Sequence, residues 1–356
     1  MNPLARLLAR RIAATGPICL ADYMADCLLH PEYGYYTSRE PFGRQGDFIT
    51  APEISQMFGE LVGLALAQSW LEQGSPAPFA LVELGPGRGT LMADILRATR
   101  MVPGFHRALR LHLVEAAPRM RALQADALRG HEPTWHDSPA TLPEMPLLLV
   151  ANEFFDALPI RQFRRHERGW RELQVTLDAD GALAFALSEP APLALLDHRL
   201  KDTRPGDIVE HRPAAGPLIE ALAGSIARHG GVALLFDYGG WRSLGDTLQA
   251  LHRQAPDHPL AHPGQADLTA HVDFEALSQA AAPLLTVTPM ITQGTFLHRL
   301  GIGARARKLA ESLRGEALES HLAAFHRLTD PSEMGTLFKT IALHPKGAPP
   351  PPGHGG

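Results

Sequence analysis

The stretch that decides the fold is Phe-Ala-Leu-Val-Glu-Leu-Gly-Pro-Gly-Arg-Gly-Thr, Phe79–Thr90. Ala80 to Leu84 reads as a buried strand, and it stops in a glycine-rich turn. A helix pattern follows at once, with Leu91, Ile95 and Leu96 apolar and Asp94 and Arg97 on the other side. Strand, glycine turn and helix in that order form the first unit of a nucleotide-binding α/β sheet. Glycine lets the backbone turn tightly and come close to a ligand, and the N-terminus of the next helix favours negative charge.

The glycine spacing narrows the ligand. A dinucleotide fingerprint is G-x-G-x-x-G with an acid about 20 residues on, whereas here Gly85, Gly87 and Gly89 are spaced G-x-G-x-G, with Glu83 two residues before the first. The next strand, Arg110 to Glu115, ends in an acid placed to accept both hydroxyls of a ribose. This E-x-G-x-G-x-G arrangement resembles motif I of the class I S-adenosylmethionine-dependent methyltransferases.

Composition sets the bounds. The 356 residues suffice for one large α/β domain with insertions or for two domains. A hydrophobic fraction of 45% is ordinary for a chain with a real core. A formal net charge of −5 provides no overall basic field to draw in nucleic acid or a membrane surface. Cys19 and Cys27 are too few for a disulfide framework and read as small apolar core residues in a reducing compartment, the cytoplasm. No apolar run of about 20 residues is present. Arg6, Arg10 and Arg11 give the first residues a superficial likeness to a mitochondrial transit peptide; the apolar positions Leu4, Leu7, Leu8 and Ile12 favour an amphipathic first helix.

Up to about residue 75 the chain reads as mostly helical, with helices over Pro3 to Thr15, around Tyr23–Leu28 and over Ile54 to Leu71. The irregular stretch His30 to Pro52 is long for a connector, and such loops are often functional. Asp47, Thr50 and Glu53 within it suit either a ligand lid or a helix cap. Further on, Pro133–Asp137 is a short third strand and Pro146–Ala151 a fourth, which empties into Asn152-Glu153-Phe154-Phe155-Asp156. A polar cluster directly after a buried strand is a site candidate, because open α/β sheets bind ligands beyond the carboxyl ends of their strands. Ile160–Ala186 alternates like a β-meander and carries a basic run, Arg161, Arg164, Arg165, His166, Arg168 and Arg171, which is either a solvated face or a surface for an acidic partner. Gly231–Asp237 is a fifth strand. Residues 240–272 read as an insertion over the active site, Leu284–Pro289 and Gly335–Leu343 as the last strands, and His344–Gly356, rich in Pro and Gly, as a disordered tail. The spacings of His252, His258, His262 and His271 fit no zinc pattern, so no metal is expected.

Long blocks elsewhere carry a more specific resemblance. Gly46–Glu60, Glu83–Leu91, Asn152–Pro159, Ala266–Phe274 and Thr292–Leu297 are similar in sequence and order to the MidA-like methyltransferases, the group that includes the mitochondrial complex I assembly methyltransferase. The resemblance implies a Rossmann-like class I methyltransferase sheet over residues 76–343, with a helical N-terminal segment that contributes to the active site and a β-rich insertion at about 160–212. It implies S-adenosyl-L-methionine as cofactor, held by Thr50, Glu83, Gly85, Pro86, Gly87, Glu115 and Asp137, the last beside the adenine. It further implies protein arginine as acceptor, in a complex I subunit, with Asn152, Glu153, Asp156 and Asp47 on the acceptor side. A homodimer is left open. Two other readings stand beside this one: an assembly factor that binds the methyl donor but acts by docking a partner, and a nicotinamide oxidoreductase, which the glycine spacing disfavours.

Overall fold

A computed structural model describes residues 2–38 and 50–355, with the backbone alone at Ser38. They divide into two compact units that interleave along the chain. One is built from residues 50–155, 216–241 and 272–355, the other from residues 2–38, 156–215 and 242–271.

The larger unit is organised by a seven-strand sheet. Its strands are β1 (Phe79–Leu84), β2 (Leu109–Val114), β3 (Thr134–His136), β4 (Leu147–Asn152), β5 (Gly231–Gly240), β6 (Leu285–Val287) and β7 (Phe338–Pro345). Their spatial order is β6-β7-β5-β4-β1-β2-β3, and the short strands Val272–Asp273 and Ile291–Thr292 pair with β5 and β7. β1 to β5 run parallel, and β7 is antiparallel to both β5 and β6. Chain order reverses at β1, which has β2 on one side and β4 on the other. That is a topological switch point, where the crevice of an open α/β sheet lies. β1 and β4 are buried along their whole length, as parallel strands covered on both faces must be, which is why they read as continuous apolar runs.

The helix α1 (Ala51–Ile54) leads into the long α2 (Gln56–Glu72), and α3 (Thr90–Thr99) and α4 (Pro118–Ala127) follow β1 and β2. α2 is buried on most of its circumference rather than along one stripe. Phe58 on it meets Phe236 of β5 edge-on at 5.3 Å, and Phe236 meets Phe296 at 5.0 Å. Gly59 and Gly63, one turn apart, let α2 approach α3 closely: a Cβ at Gly59 would stand 2.6 Å from Asp94 Cβ, and one at Gly63 2.9 Å from Ile95 Cα. Glu60, between them, is buried and takes a two-pronged bond from Arg305 at 2.8 and 3.0 Å and a third from Arg97 at 3.2 Å.

In the smaller unit, helices Pro3–Thr15 and Leu20–Leu29 pack with a five-strand sheet and a three-strand sheet. The five strands are Ile18–Cys19, Arg161–His166, Gly169–Leu177, Leu183–Leu187 and Ile208–His211; the three are Gln249–His252, Ala255–Asp257 and Asp267–Thr269. The first helix is capped by Asn2, whose Oδ1 accepts from the Ala5 N–H at 2.8 Å, and it buries Leu4, Leu8 and Ile12 in the core with Tyr23, Met24 and Val175. Residues resembling a transit segment are thus part of a core. Arg11 lies outside it and bonds Asp22 and Asp26.

Several expectations need correction. Half of the basic run is engaged within its own sheet, while Arg164 and Arg168 are exposed: Arg161 forks onto Glu172 at 2.7 Å, Arg165 lies over the Trp170 ring at 5.6 Å, and Arg171 donates to the carbonyls of Ser188 and Leu187. Only Cys27 is a buried apolar residue; Cys19 is half-buried and caps the second helix, its Sγ accepting from the Asp22 N–H. The C-terminal segment is packed rather than disordered. His354 is 6% exposed, packs at a tilt against Phe296 with centroids 5.3 Å apart and bonds the hydroxyls of Thr288 and Thr340, because those three residues leave a mixed polar and aromatic niche that an imidazole fills. The helices α4, Phe274–Ala281 and Gln293–Arg299 have no counterpart in the sequence reading. Among the described residues no helix is long and apolar enough to cross a membrane.

Candidate active site at the β1 switch point

Gly85 follows the last residue of β1, with φ at +62°, a conformation that side chains other than glycine's resist. Its N–H donates to the Val114 carbonyl at 3.0 Å, which ties the turn to the end of β2. A Cβ here would stand 2.9 Å from Cδ2 of Phe154, so the turn and the residues after β4 close on one another around a missing side chain. Gly87 and Gly89 also have positive φ, at +51° and +85°.

Glu83 sits on β1 beneath this turn, 3% exposed. α3 opens at Gly89, which has no side chain to cap it; the Glu83 carboxyl takes over part of that task by accepting from the Met92 backbone. Burial nevertheless prevails over that bond and pushes the carboxyl up to about 8. Its Oε2 has no hydrogen-bond partner among the described residues. Thr90, the first residue of α3, donates its hydroxyl to Glu53 of α1. Thr50 stands at the N-cap of α1 but makes no side-chain cap bond.

Glu115 follows β2 directly. Its Oε1 accepts from the Ala117 N–H at 2.8 Å and its Oε2 from Gln124 Nε2 at 3.1 Å, while burial raises its pKa above the ordinary carboxylate value. Gln124 on α4 is fully buried and links three parts of the crevice: its Nε2 also donates to the Gly87 carbonyl at 2.8 Å, and its Oε1 accepts from Trp135 Nε1 at 2.8 Å. The sequence reading missed it. The available signal was one polar residue in an otherwise apolar i, i+4 row, Met120, Gln124, Leu128, all three buried. Asp137, just past β3, is an exposed residue that pairs with Arg121, and Arg121 also donates to the Glu115 carbonyl.

At the end of β4, Asn152 is 8% exposed. It donates from Nδ2 to Glu153 Oε1 at 3.1 Å, and its Oδ1 has no partner among the described residues. Glu153 has φ at +52°, a strained state for a residue with a side chain. It is held by its own N–H, which donates to the Phe236 carbonyl at 2.9 Å, and by its Oε1, which accepts from the Ala51 N–H at 3.2 Å. Asp237 of β5, 1% exposed, accepts from the N–H groups of Phe155 at 2.9 Å and Tyr238 at 3.0 Å, fixing the chain that leaves β4. Asp156 belongs to the other unit; it is 6% exposed, and its carbonyl accepts from the Ala270 N–H at 3.1 Å. Asp47 lies outside the described residues.

The larger unit thus gathers Glu53, Glu83, Gly85, Glu115, Asn152 and Glu153 at the C-terminal edge of the parallel strands. Two buried oxygens there, Glu83 Oε2 and Asn152 Oδ1, have no hydrogen-bond partner among the described residues. Such an edge suits a ligand that brings positive charge and N–H or O–H donors.

Known proteins bear on this geometry. Residues 61–290 match the family described as "Putative S-adenosyl-L-methionine-dependent methyltransferase". The chain is 37% identical over 374 residues to the mitochondrial protein arginine methyltransferase NDUFAF7 homolog of Drosophila melanogaster, covering 96% of this chain and 85% of that one. It is 36% identical over 372 residues to mitochondrial protein arginine methyltransferase NDUFAF7 of Homo sapiens, covering 97% and 84%. Among solved structures, it is similar to a Burkholderia thailandensis protein described as a "likely methyl transferase" and bound to S-adenosyl-homocysteine. The TM-score there is 0.84 and the identity 29%, with 99% of this chain and 94% of that one covered. The Drosophila and human relatives carry mitochondrial names and do not support the cytoplasmic assignment read from the cysteines. The switch-point sheet, the glycine turn and a match over well more than half the chain agree, and the chain belongs to this family of S-adenosyl-L-methionine-dependent methyltransferases.

Proposed function

We propose that the protein transfers a methyl group to an arginine of a partner protein, a respiratory complex I subunit, and that the crevice at the β1 switch point holds the methyl donor. The observation that carries this reading is Glu115, a carboxylate at the end of β2, one strand over from the strained glycine turn and oriented by Ala117 and Gln124. A carboxylate in that place retains lone pairs for ribose hydroxyls. Gly85, Pro86 and Gly87 would take the methionyl end, with Glu83 and Thr50 beside it, and Asp137 the adenine. The residues fit the donor: a sulfonium and an ammonium group supply the charge and the N–H donors that Glu83 Oε2 and Asn152 Oδ1 lack.

S-adenosylmethionine supplies, when bound, a methyl group on a good leaving group, and displacement of that kind needs no metal. The protein's part is positioning and exclusion of water. A guanidinium has a pKa above about 12 and five donors in a fixed fork, so it needs carboxylates to orient it and offset its charge. Glu153, fixed by three bonds in a strained conformation, is the group we assign to that task, with Asn152 beside it. Asp156 and Asp47 are proposed for the same side on the sequence pattern alone. The relatives' names support arginine as the acceptor. Two unpaired cysteines suit a reducing compartment, the cytoplasm or the mitochondrial matrix.

The test is incubation with isotopically labelled donor and the subunits of the hydrophilic arm of the respiratory complex, followed by mass spectrometry of labelled peptides. Label on an arginine is expected; label confined to other residue types, or none above a Glu153→Ala control, refutes the assignment.

A further inference from the structure

We propose that His252, Asp257 and His262 form a binding site for a divalent transition-metal ion, zinc foremost, in the smaller unit. One ligand atom from each of the three lies within 4.8 Å of the others. Their sequence spacing matches no zinc pattern, and the tertiary structure supplies what the spacing does not. Strands Gln249–His252 and Ala255–Asp257 form a two-residue hairpin in register His252 to Ala255 and Ala250 to Asp257. That register places His252 and Asp257 as diagonal neighbours on one face. The chain then turns back, so that His262 Nδ1 lies 2.6 Å from Asp257 Oδ2 and its ring stacks on that of His252, centroids 4.2 Å apart and planes 27° from parallel.

Two features favour a cation over a plain ion pair. Asp257 is oriented as ligating carboxylates are, its Oδ1 engaged by the His258 N–H at 2.8 Å while Oδ2 faces the cluster. The hairpin turn is strained as well: Arg253 and Gln254 have φ at +54° and +65°. A turn with both central residues left-handed is ordinarily made by Asn and Gly, and here each side chain costs about 1 kcal/mol. An ion gripping His252 on one strand and Asp257 on the other would hold that turn closed.

The loop carrying His262 is anchored, since the Tyr23 hydroxyl donates to the Pro259 carbonyl at 2.6 Å and Asn2 Nδ2 to the Pro263 carbonyl at 2.8 Å. All three ligands are half-buried, which leaves room for water to complete the shell. Two imidazoles with one carboxylate suit zinc and its neighbours rather than calcium or magnesium. Zinc–ligand bonds of about 2.0–2.2 Å set tetrahedral ligand atoms about 3.4 Å apart, so Asp257 Oδ2 and His262 Nδ1 must part from 2.6 Å to admit the ion, which side-chain rotation supplies.

The full chain, stripped with chelator and dialysed, would be titrated with Zn²⁺ by calorimetry and with Co²⁺ by visible absorption, and melted with and without Zn²⁺. One equivalent should bind, raise the melting temperature and give the intense visible bands of four- or five-coordinate cobalt. His262→Ala and Asp257→Asn should weaken binding about ten-fold or more and abolish the thermal shift. His258→Ala, an exposed histidine in the same loop but outside the trio, should bind as the wild type does. Absence of binding by the wild-type chain, or equal weakening by His258→Ala and His262→Ala, overturns the proposal. The cobalt spectrum of the unmutated chain decides the matter even if a variant fails to fold.

Discussion

Replacing Glu83 by glutamine should change how stability depends on pH, with a size set by the carboxyl's burial. In the folded protein the group titrates near 8, against 4.5 for a free glutamate. The folded state therefore holds a proton that the unfolded state has already released between those values. Stability from this site is fully present below about pH 4.5 and is lost as pH rises through 8, at about 1.4 kcal/mol per pH unit in between. Over the whole window that is on the order of 5 kcal/mol, and between pH 6 and pH 9 about 3 kcal/mol. Glutamine keeps an oxygen for the Met92 N–H and carries no charge at any pH. Urea unfolding of ligand-free wild type and Glu83→Gln at half-unit steps from pH 6 to 9 should thus show the wild type losing about 3 kcal/mol relative to the variant across that range, the gap widening steadily up to about pH 8. Other shifted groups, such as Asp94 and Glu115, act on both proteins alike and cancel in the difference. Parallel curves across that range would mean that Glu83 is ionised in the fold, and the account of an under-satisfied buried carboxyl would fail.

Gly85→Val should abolish donor binding while far-ultraviolet circular dichroism stays native, because a β-branched side chain at φ +62° costs a few kcal/mol at most but its Cβ meets Phe154; normal partner assembly by this variant would favour the docking reading over the enzyme. Glu115→Ala should weaken donor affinity by about 1–3 kcal/mol in calorimetry, and an unchanged affinity would remove it from the site. Asp237→Ala leaves the buried N–H of Phe155 and that of Tyr238 without their acceptor and should cost about 2–4 kcal/mol in denaturant titration. Truncation after Lys346 removes the His354 cover from Phe296 and should lower the melting temperature by several degrees, corresponding to about 1–3 kcal/mol; an unchanged melting curve would show that the segment contributes nothing to stability.

The strand–turn–helix unit was legible because its signals are local. β1 is an apolar run broken only by Glu83, the turn has three glycines with positive φ, and α3 has an apolar stripe. The first helix, Pro3–Thr15, was legible for the same reason: its apolar positions at helical spacing all lie within the segment itself. Helix α4 was not, since its buried face includes Gln124, and its sequence lacks a clean stripe. Candidate site residues at strand ends, Glu115 and Asn152–Glu153, could be named from their place in the chain. Their partners could not: Gln124 serves Glu115 from 9 residues away, and Asp237 holds Phe155 from 82.

Amino-acid order alone determined the core parallel strands, the helices with a clean apolar stripe and where the glycine turn lies, because periodicity and backbone preference act over a few residues. Tertiary structure decided which strands are neighbours, which buried oxygens find donors, that two histidines and an aspartate converge on one hairpin, and that the proline-rich end packs. Each of those depends on atoms brought together from distant parts of the chain, and pairing at a distance leaves no trace in local pattern.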